Sequence, residues 1–294
     1  METPEESSHA EDDVMQMSPR YERTTKRALV EVFSVKMAGV RPNDLERLGG
    51  LILLRNSDRN YVLYQNHFGK GCHQLDSEGY FTLIGPECGV HVKDKLGIYP
   101  WLFDNMTTSC EKSKKKVIWI RDHQSPRTDQ VIRKGFRTKL GVVKIDFAVY
   151  SDAVEARIEI FLLDVKEGLL PIQKSVEIHG IVKASNSFII REYNARSTLL
   201  DNIKNRECTK LSYWPSGEAE FPVPLTRNIT VIPRESSLIV DTDLSLHCIP
   251  LGKFISVVVG SGRFDASSRS SSTVEEKIIY GARAKVKVKV HWST

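Results

Sequence analysis

Along most of the chain, apolar and polar residues alternate in short runs that end at turn-forming residues. That is the period of a half-buried strand. Glu31-Val32-Phe33-Ser34-Val35-Lys36-Met37 alternates, with Phe33, Val35 and Met37 on one face. Leu51–Arg55 and Tyr61–Gln65 flank Asn56-Ser57-Asp58-Arg59-Asn60, which is turn chemistry between two apolar runs. Tyr80–Ile84 ends at the chain-breaking pair Gly85-Pro86, and Gly89–Lys93 resumes. Val117–Arg121, Val142–Tyr150, Val154–Leu163, Val176–Ala184, Ser187–Arg191 and Asn228–Ile232 read as further strands. So do Ser237–Val240, Leu244–Ile249, Phe254–Gly260, Lys277–Tyr280 and Ala282–Trp292. No amphipathic helix of three turns follows residue 28. Many short strands without interposed helices predict an all-β fold, an antiparallel β-sandwich-like domain.

One pairing can be tested on the sequence itself. A hairpin of Val142–Tyr150 and Val154–Leu163, turning at Ser151-Asp152, sets Asp146 opposite Arg157 and Lys144 opposite Glu159. Both pairs are opposite in sign, and such pairs contribute ~0.2–1 kcal/mol each. The stretch Gly97–Lys116, with Trp101, Phe103 and the run Lys112-Ser113-Lys114-Lys115-Lys116, breaks the alternation and reads as a long surface loop. Ser267–Thr273 reads as a second loop, Ser-rich and mobile.

The first 27 residues are polar, charged and nearly without apolar periodicity, which predicts a disordered acidic tail with room for a short helix over Met15–Arg27. Residues 28–294 are then a single domain. The first 13 residues hold six acids and no Lys or Arg, so the rest carries 42 basic residues against 31 acids, a body of +11 in a chain of +5. A basic body suits an anionic partner, but its charge is spread out. No run reaches the ~18 apolar residues of a membrane span. METPEESSHAEDD has neither the basic start nor the apolar run of a secretory leader. Five scattered cysteines (Cys72, Cys88, Cys110, Cys208 and Cys248) then fit reduced thiols in the cytosol or nucleus. The sequons at Asn105 and Asn228 carry no weight in that compartment.

Candidate chemistry is thin. Cys72-His73 with Cys88 and His91 has zinc-ligand residue types, but Cys88 and His91 are three apart at the start of a strand and face opposite sides, so no metal or other cofactor is expected. Glu155-Ala156-Arg157 holds the residue types of the rRNA N-glycosidase pair, yet two apart in a strand rather than three apart on a helix. Gly260-Ser261-Gly262 lacks the Lys and helix of a phosphate loop and reads as a turn. The Lys112–Lys116 run has two readings, a nuclear localisation patch and a solvated loop. No catalytic residue is assigned.

The most distinctive run is the last. From Ala282 to Trp292 every other residue is apolar, and the alternate face carries Arg283, Lys285, Lys287 and Lys289. These four are the candidate nucleic-acid-binding residues, because a basic stripe can follow a phosphate backbone. The favoured reading of the stripe is an edge guard, lysines on a sheet margin that block edge-to-edge aggregation.

Several segments together carry a resemblance. They are Val30–Lys36, Gly50–Arg55 with Asp58–Tyr61, Leu83-Ile84-Gly85-Pro86, Val154-Glu155-Ala156, His179-Gly180 and Val286-Lys287-Val288 closing on His291-Trp292-Ser293. The chain resembles, over roughly Ala28 to Thr294, a plant family expanded in cereals and named as a domain of unknown function. Its members occur alone or fused to ribosome-inactivating rRNA N-glycosidase domains. The matching motifs are strand ends and turns. The turn after Arg55 is shorter than the family's, and Gly97–Gly135 is longer and more basic. The expected function is a non-enzymatic intracellular binding or accessory module in stress or defence, with a protein partner and no membrane. The alternative is an RNA- or ribosome-directed protein associated with translation inhibition, with weak RNA or ribosome contact; an rRNA N-glycosidase itself is the less favoured reading.

Overall fold

The structure, a computed structural model, describes residues 26–45, 48–66, 75–104, 110–112, 116–120, 128–165, 176–188, 195–203, 209–211, 220–248, 252–266 and 273–293. The acidic tail to residue 25, Cys72-His73, Ser113–Lys115 and Ser267–Ser272 lie outside them. The chain is nearly all antiparallel β in several sheets. The first half holds β1 (Leu29–Ala38), a four-residue helix α1 (Pro42–Leu45), β2 (Leu48–Arg55), β3 (Asn60–Asn66), β4 (Val90–His91) and β5 (Lys95–Asp104). There follow β6 (Cys110–Lys112), β7 (Lys116–Ile120), β8 (Val131–Arg137) and β9 (Val142–Tyr150). The second half holds β10 (Ala153–Leu163), β11 (Val176–Asn186), β12 (Ser197–Asp201), β13 (Thr209–Leu211) and β14 (Glu220–Val223). It ends with β15 (Ile229–Pro233), β16 (Ser237–Cys248), β17 (Lys253–Asp265), β18 (Thr273–Tyr280) and β19 (Lys285–Ser293).

Pairing divides these strands at Ser151-Asp152. A first sheet, β4-β1-β9-β8, and a second, β3-β2-β5-β6 with β7 also on β5, close over one core of Val30, Val32, Ile52, Leu63, Ile98 and Phe147 among others. A third sheet, β14-β10-β19-β18 with β15 on β10, and a fourth, β12-β11-β16-β17 with β13 on β11, close over another that includes Ile158, Val182, Leu246, Phe264, Val288 and Trp292. The body is therefore built of two sandwiches, each with its own core. Between them lies a smaller apolar cluster of Leu29, Phe33, Ala148, Tyr150, Ala153, Ala195 and Val231.

Strand β1 shows how the sequence makes that junction. Its first five residues are all buried, because both faces are covered. Val30 and Val32 enter the first core, while Leu29 and Phe33 enter the inter-sandwich cluster. A shift of register between Val32 and Ser34 then returns Val35 and Met37 to the first core. Phe33 thus departs from Val35 and Met37, with which plain alternation had grouped it. A bulge adds one residue and flips the faces beyond it.

The hairpin over Ser151-Asp152 is not formed. Strand β9 pairs with β1 and β8, and β10 pairs with β14, β15 and β19. The two residues are the crossing between sandwiches, held by separate anchors. Ser151 N–H and Oγ donate to Asp129 (2.9 and 2.7 Å), and Arg234 reaches Asp152 (3.3 Å). Asp146 meets Arg133 at 3.6 Å instead of Arg157, which stands opposite His291 and Ile229. Alternating charges are compatible with many partners, so complementarity along two sequential strands did not select the right one.

Two further expectations change. Much of the stretch read as a loop from Gly97 is β5, the strand between β2 and β6. Its partners β6 and β7 cover residues 101–103 and 95–98, so Pro100 falls between them, at a place where a missing N–H is tolerated. Gly260-Ser261-Gly262 lies inside β17 rather than in a turn. A Cβ on Gly260 would stand 2.5 Å from Ile279 Cγ2, so glycine there lets β17 and β18 approach.

Candidate functional site

At the junction the two sandwiches are joined by a buried ion pair. Glu31 on β1 and Arg227 before β15 are 1% and 3% exposed, and Arg227 Nη2 lies 2.8 Å from Glu31 Oε1. Ser197 Oγ donates to the same oxygen, and Val231 N–H donates to Oε2 at 2.6 Å. Arg227 also donates to the carbonyls of Val32 (2.6 Å) and Ile229 (2.9 Å). Burial raises the Glu31 carboxyl above the ordinary carboxylate range, and Arg227, Ser197, Val231 N–H and Thr230 draw it part of the way back. Glu155 adds a second tie, accepting from Gly89 N–H at 2.5 Å. Of the Glu155/Arg157 pair, Glu155 therefore makes a junction contact from a strand, while Arg157 is exposed.

Beside this lock the sandwiches leave a cleft of ≈ 530 Å³. Phe33, Phe81 and Leu83 give it apolar walls, all three nearly buried. Asp76 fixes the turn on one rim by accepting from the N–H groups of Glu78 and Tyr80, each at 2.9 Å. Lys36 Nζ lies 4.5 Å from the centre of the Tyr80 ring. The opposite rim comes from the second sandwich, with Lys183, Arg196 and Thr198. Arg196 pairs with Asp241 at 3.4 Å, whereas Lys183 has no ion pair among the described residues. The cleft thus combines an apolar floor with groups of both signs, contributed by strands far apart in sequence.

The terminal stripe lies elsewhere. Strand β19 is flanked by β10 and β18, so it is an inner strand and its lysines are not edge guards. Lys285 meets Asp164 (2.7 Å), Lys287 meets Glu220, Lys289 meets Glu276 (3.7 Å) and His291 meets Glu159 (3.3 Å). Arg283 precedes the strand, and its backbone N–H donates to Val257. Of the four basic residues seen in sequence, Lys285, Lys287 and Lys289 are thus ion-paired to acids of the same sheet or its margin.

No group of three or more metal-ligating side chains occurs among the described residues. Cys88 Sγ accepts from Arg59 Nη2 at 3.1 Å, and His91 accepts from Arg27. Partial burial, then Arg27, Lys93 and Arg59, hold the His91 imidazole below its ordinary range. No helix in the described residues is long and apolar enough to cross a membrane. Sequence reasoning missed Glu31, Arg227, Lys183 and Arg196. A glutamate inside an otherwise apolar strand start, Leu29-Val30-Glu31-Val32-Phe33, was the signal available for the first.

No curated protein sequence matches the chain. Among solved structures it is similar to the paired C2 domains of Extended-Synaptotagmin 2, with 10% identity, a TM-score of 0.26 and 98% of each chain covered. It is also similar to human GIVD cytosolic phospholipase A2, with 9% identity, a TM-score of 0.23, and 91% of this chain against 30% of that one. At those TM-scores neither likeness bears on function. A family model described as "Domain of unknown function (DUF6598)" matches residues 29–290, and the chain belongs to that family.

Proposed function

We propose that this protein is a non-enzymatic binding module that takes a segment of a protein partner into the cleft between its sandwiches. The observation that carries the reading is the cleft itself, with Phe33, Phe81 and Leu83 inside and Lys183 unpaired among the described residues on its rim. The lining also holds Asp76, Glu78, Asp146 and Asp201, all of them engaged within the protein, so the cleft suits a segment with an apolar or aromatic side chain and a single carboxylate set against Lys183. The lock at Glu31 and Arg227 supports it, because a cleft between two sandwiches keeps its shape only if they are held together. The same reading keeps residues 28–294 as one cooperative domain, in the cytosol or nucleus.

A setting in plant stress or defence, and an association with rRNA N-glycosidases, rest on the family resemblance in the sequence. They belong to the second reading, a ribosome-directed accessory protein, which ribosome co-sedimentation tests. For the first reading, a displayed library of random peptides is selected on the full chain. Acidic–aromatic segments should be enriched, and they should lose binding to the Lys183→Glu/Arg196→Glu variant. No enrichment, or enrichment indifferent to both changes, overturns it.

A further inference from the structure

The second sheet offers an outward face of a different kind, independent of the cleft. Along β5, Leu96, Ile98 and Leu102 enter the first core, while Tyr99, Trp101 and Phe103 occupy the alternate, outward positions. Trp101 is 41% exposed, and Tyr99 and Phe103 are half-buried. Alternate residues of a strand stand ~6.6–6.8 Å apart, so the three rings form a row along a strand that lies inside its sheet.

The surrounding residues fit that row. Phe103 lies over Gly49 of the neighbouring strand β2, where a Cβ would stand 2.5 Å from the ring's Cε2. Any other residue at 49 would lift the ring from the sheet. At the other end, the Arg55 guanidinium carbon lies 5.9 Å from the centre of the Tyr99 ring, and Nη1 donates to its hydroxyl at 3.4 Å. Lys95, at an outward position of β5, is exposed, whereas Lys116 of the adjoining β7 stands opposite the core residue Ile98 and so on the other side of the sheet. None of the outward positions of β2, β3 or β5 is acidic.

We infer that this face binds single-stranded nucleic acid, with bases stacked on Tyr99, Trp101 and Phe103 and phosphates met by Arg55 and Lys95. Every base has a flat face, so rings spaced along a strand accept a single strand of any sequence, and flanking cations neutralise its backbone. Cations without acids select a polyanion, and the row of rings selects one that can stack. The ion-paired stripe on β19 has cations but no such row.

The test uses the full chain, fluorescein-labelled single-stranded RNA and DNA of roughly ten nucleotides, and a duplex competitor. Both single strands should bind and quench tryptophan emission, and the duplex should compete poorly. Trp101→Ala should weaken binding about 5- to 150-fold, the equivalent of one stacked base, and Trp101→Phe should restore most of it. Arg55→Glu should weaken binding and lower the salt slope by about 0.7. Substituting Gln for Arg283, Lys285, Lys287 and Lys289 together should leave the affinity unchanged. Equal affinity for wild type and Trp101→Ala overturns the inference, as does a duplex that competes equally. Absence of binding at low salt also overturns it, and self-association abolished by Trp101→Ala would then assign the face to a second copy of the chain.

Discussion

Replacing Arg227 by Met keeps the length and apolar stem of the side chain but leaves the Glu31 carboxyl buried without its cation. Breaking a buried pair by removing one partner costs about 3–5 kcal/mol, since the remaining charge is neither solvated nor matched. Here Arg227 also satisfies the carbonyls of Val32 and Ile229, so the upper part of that range is expected. In a body of this size each kcal/mol moves Tm by roughly 2–4 °C, so the drop should be about 8–20 °C. Urea unfolding followed by tryptophan fluorescence and by circular dichroism gives the free energy and shows whether the sandwiches still unfold together. The double variant Glu31→Gln/Arg227→Met should recover a large part of the loss, because no charge is stranded. Acidity supplies an independent check. Burial raises the Glu31 carboxyl, and without Arg227 nothing cationic opposes that direction. A raised carboxyl contributes stability that is fully present below its unfolded value, near 4.3, and lost as pH rises through the folded value. The penalty of Arg227→Met should therefore shrink as pH falls towards 4. A penalty below about 0.5 kcal/mol, or one independent of pH with no recovery in the double variant, would refute the idea that this pair locks the sandwiches.

Two further outcomes are expected. Burial pushes the Tyr64 phenol up to about 12, so it should ionise late in an absorbance titration at alkaline pH, and Tyr64→Phe should remove that late step; because the shift is upward, its stability contribution is present below about 10, the unfolded value, and is lost as pH rises through 12. Gly50 has φ +140° and a Cβ there would stand 2.1 Å from the Trp101 carbonyl oxygen, so Gly50→Ala should cost on the order of 2–4 kcal/mol in urea unfolding, which a Gly49→Ala control, displacing the Phe103 ring rather than backbone, should not match.

Strands were legible where one face is buried and the other wet. Burial alternates along β10 and β19, and their sequences show it. Legibility failed where both faces are apolar. In β5 the core residues alternate with Tyr99, Trp101 and Phe103, so the run has no period and contains a proline. Ser237–Val240 and Leu244–Ile249 read as two strands because Asp241, Thr242 and Asp243 interrupt them. In the structure they are one long strand, β16, in which Thr242 is buried and Asp241 and Asp243 lie on the outer face.

The order of polar and apolar residues by itself determined that this protein is antiparallel β, since that order sets which side chains a strand can bury. It also carried the family resemblance, whose motifs are strand ends and turns. Tertiary structure alone decided which strands pair, because backbone ladders are indifferent to sequence distance and alternating charges fit several neighbours. That is why the charges of β9 and β10 seemed complementary while the strands belong to different sandwiches. The lock joins residues 31 and 227, and the cleft draws its rims from both sandwiches. The basic stripe was visible as charge, but its neutralisation depends on acids brought beside β19 from β10, β14, β18 and the residue after β10. Local pattern sets the elements; burial of the remaining apolar faces, and the cost of leaving a charge inside unpaired, set where they meet.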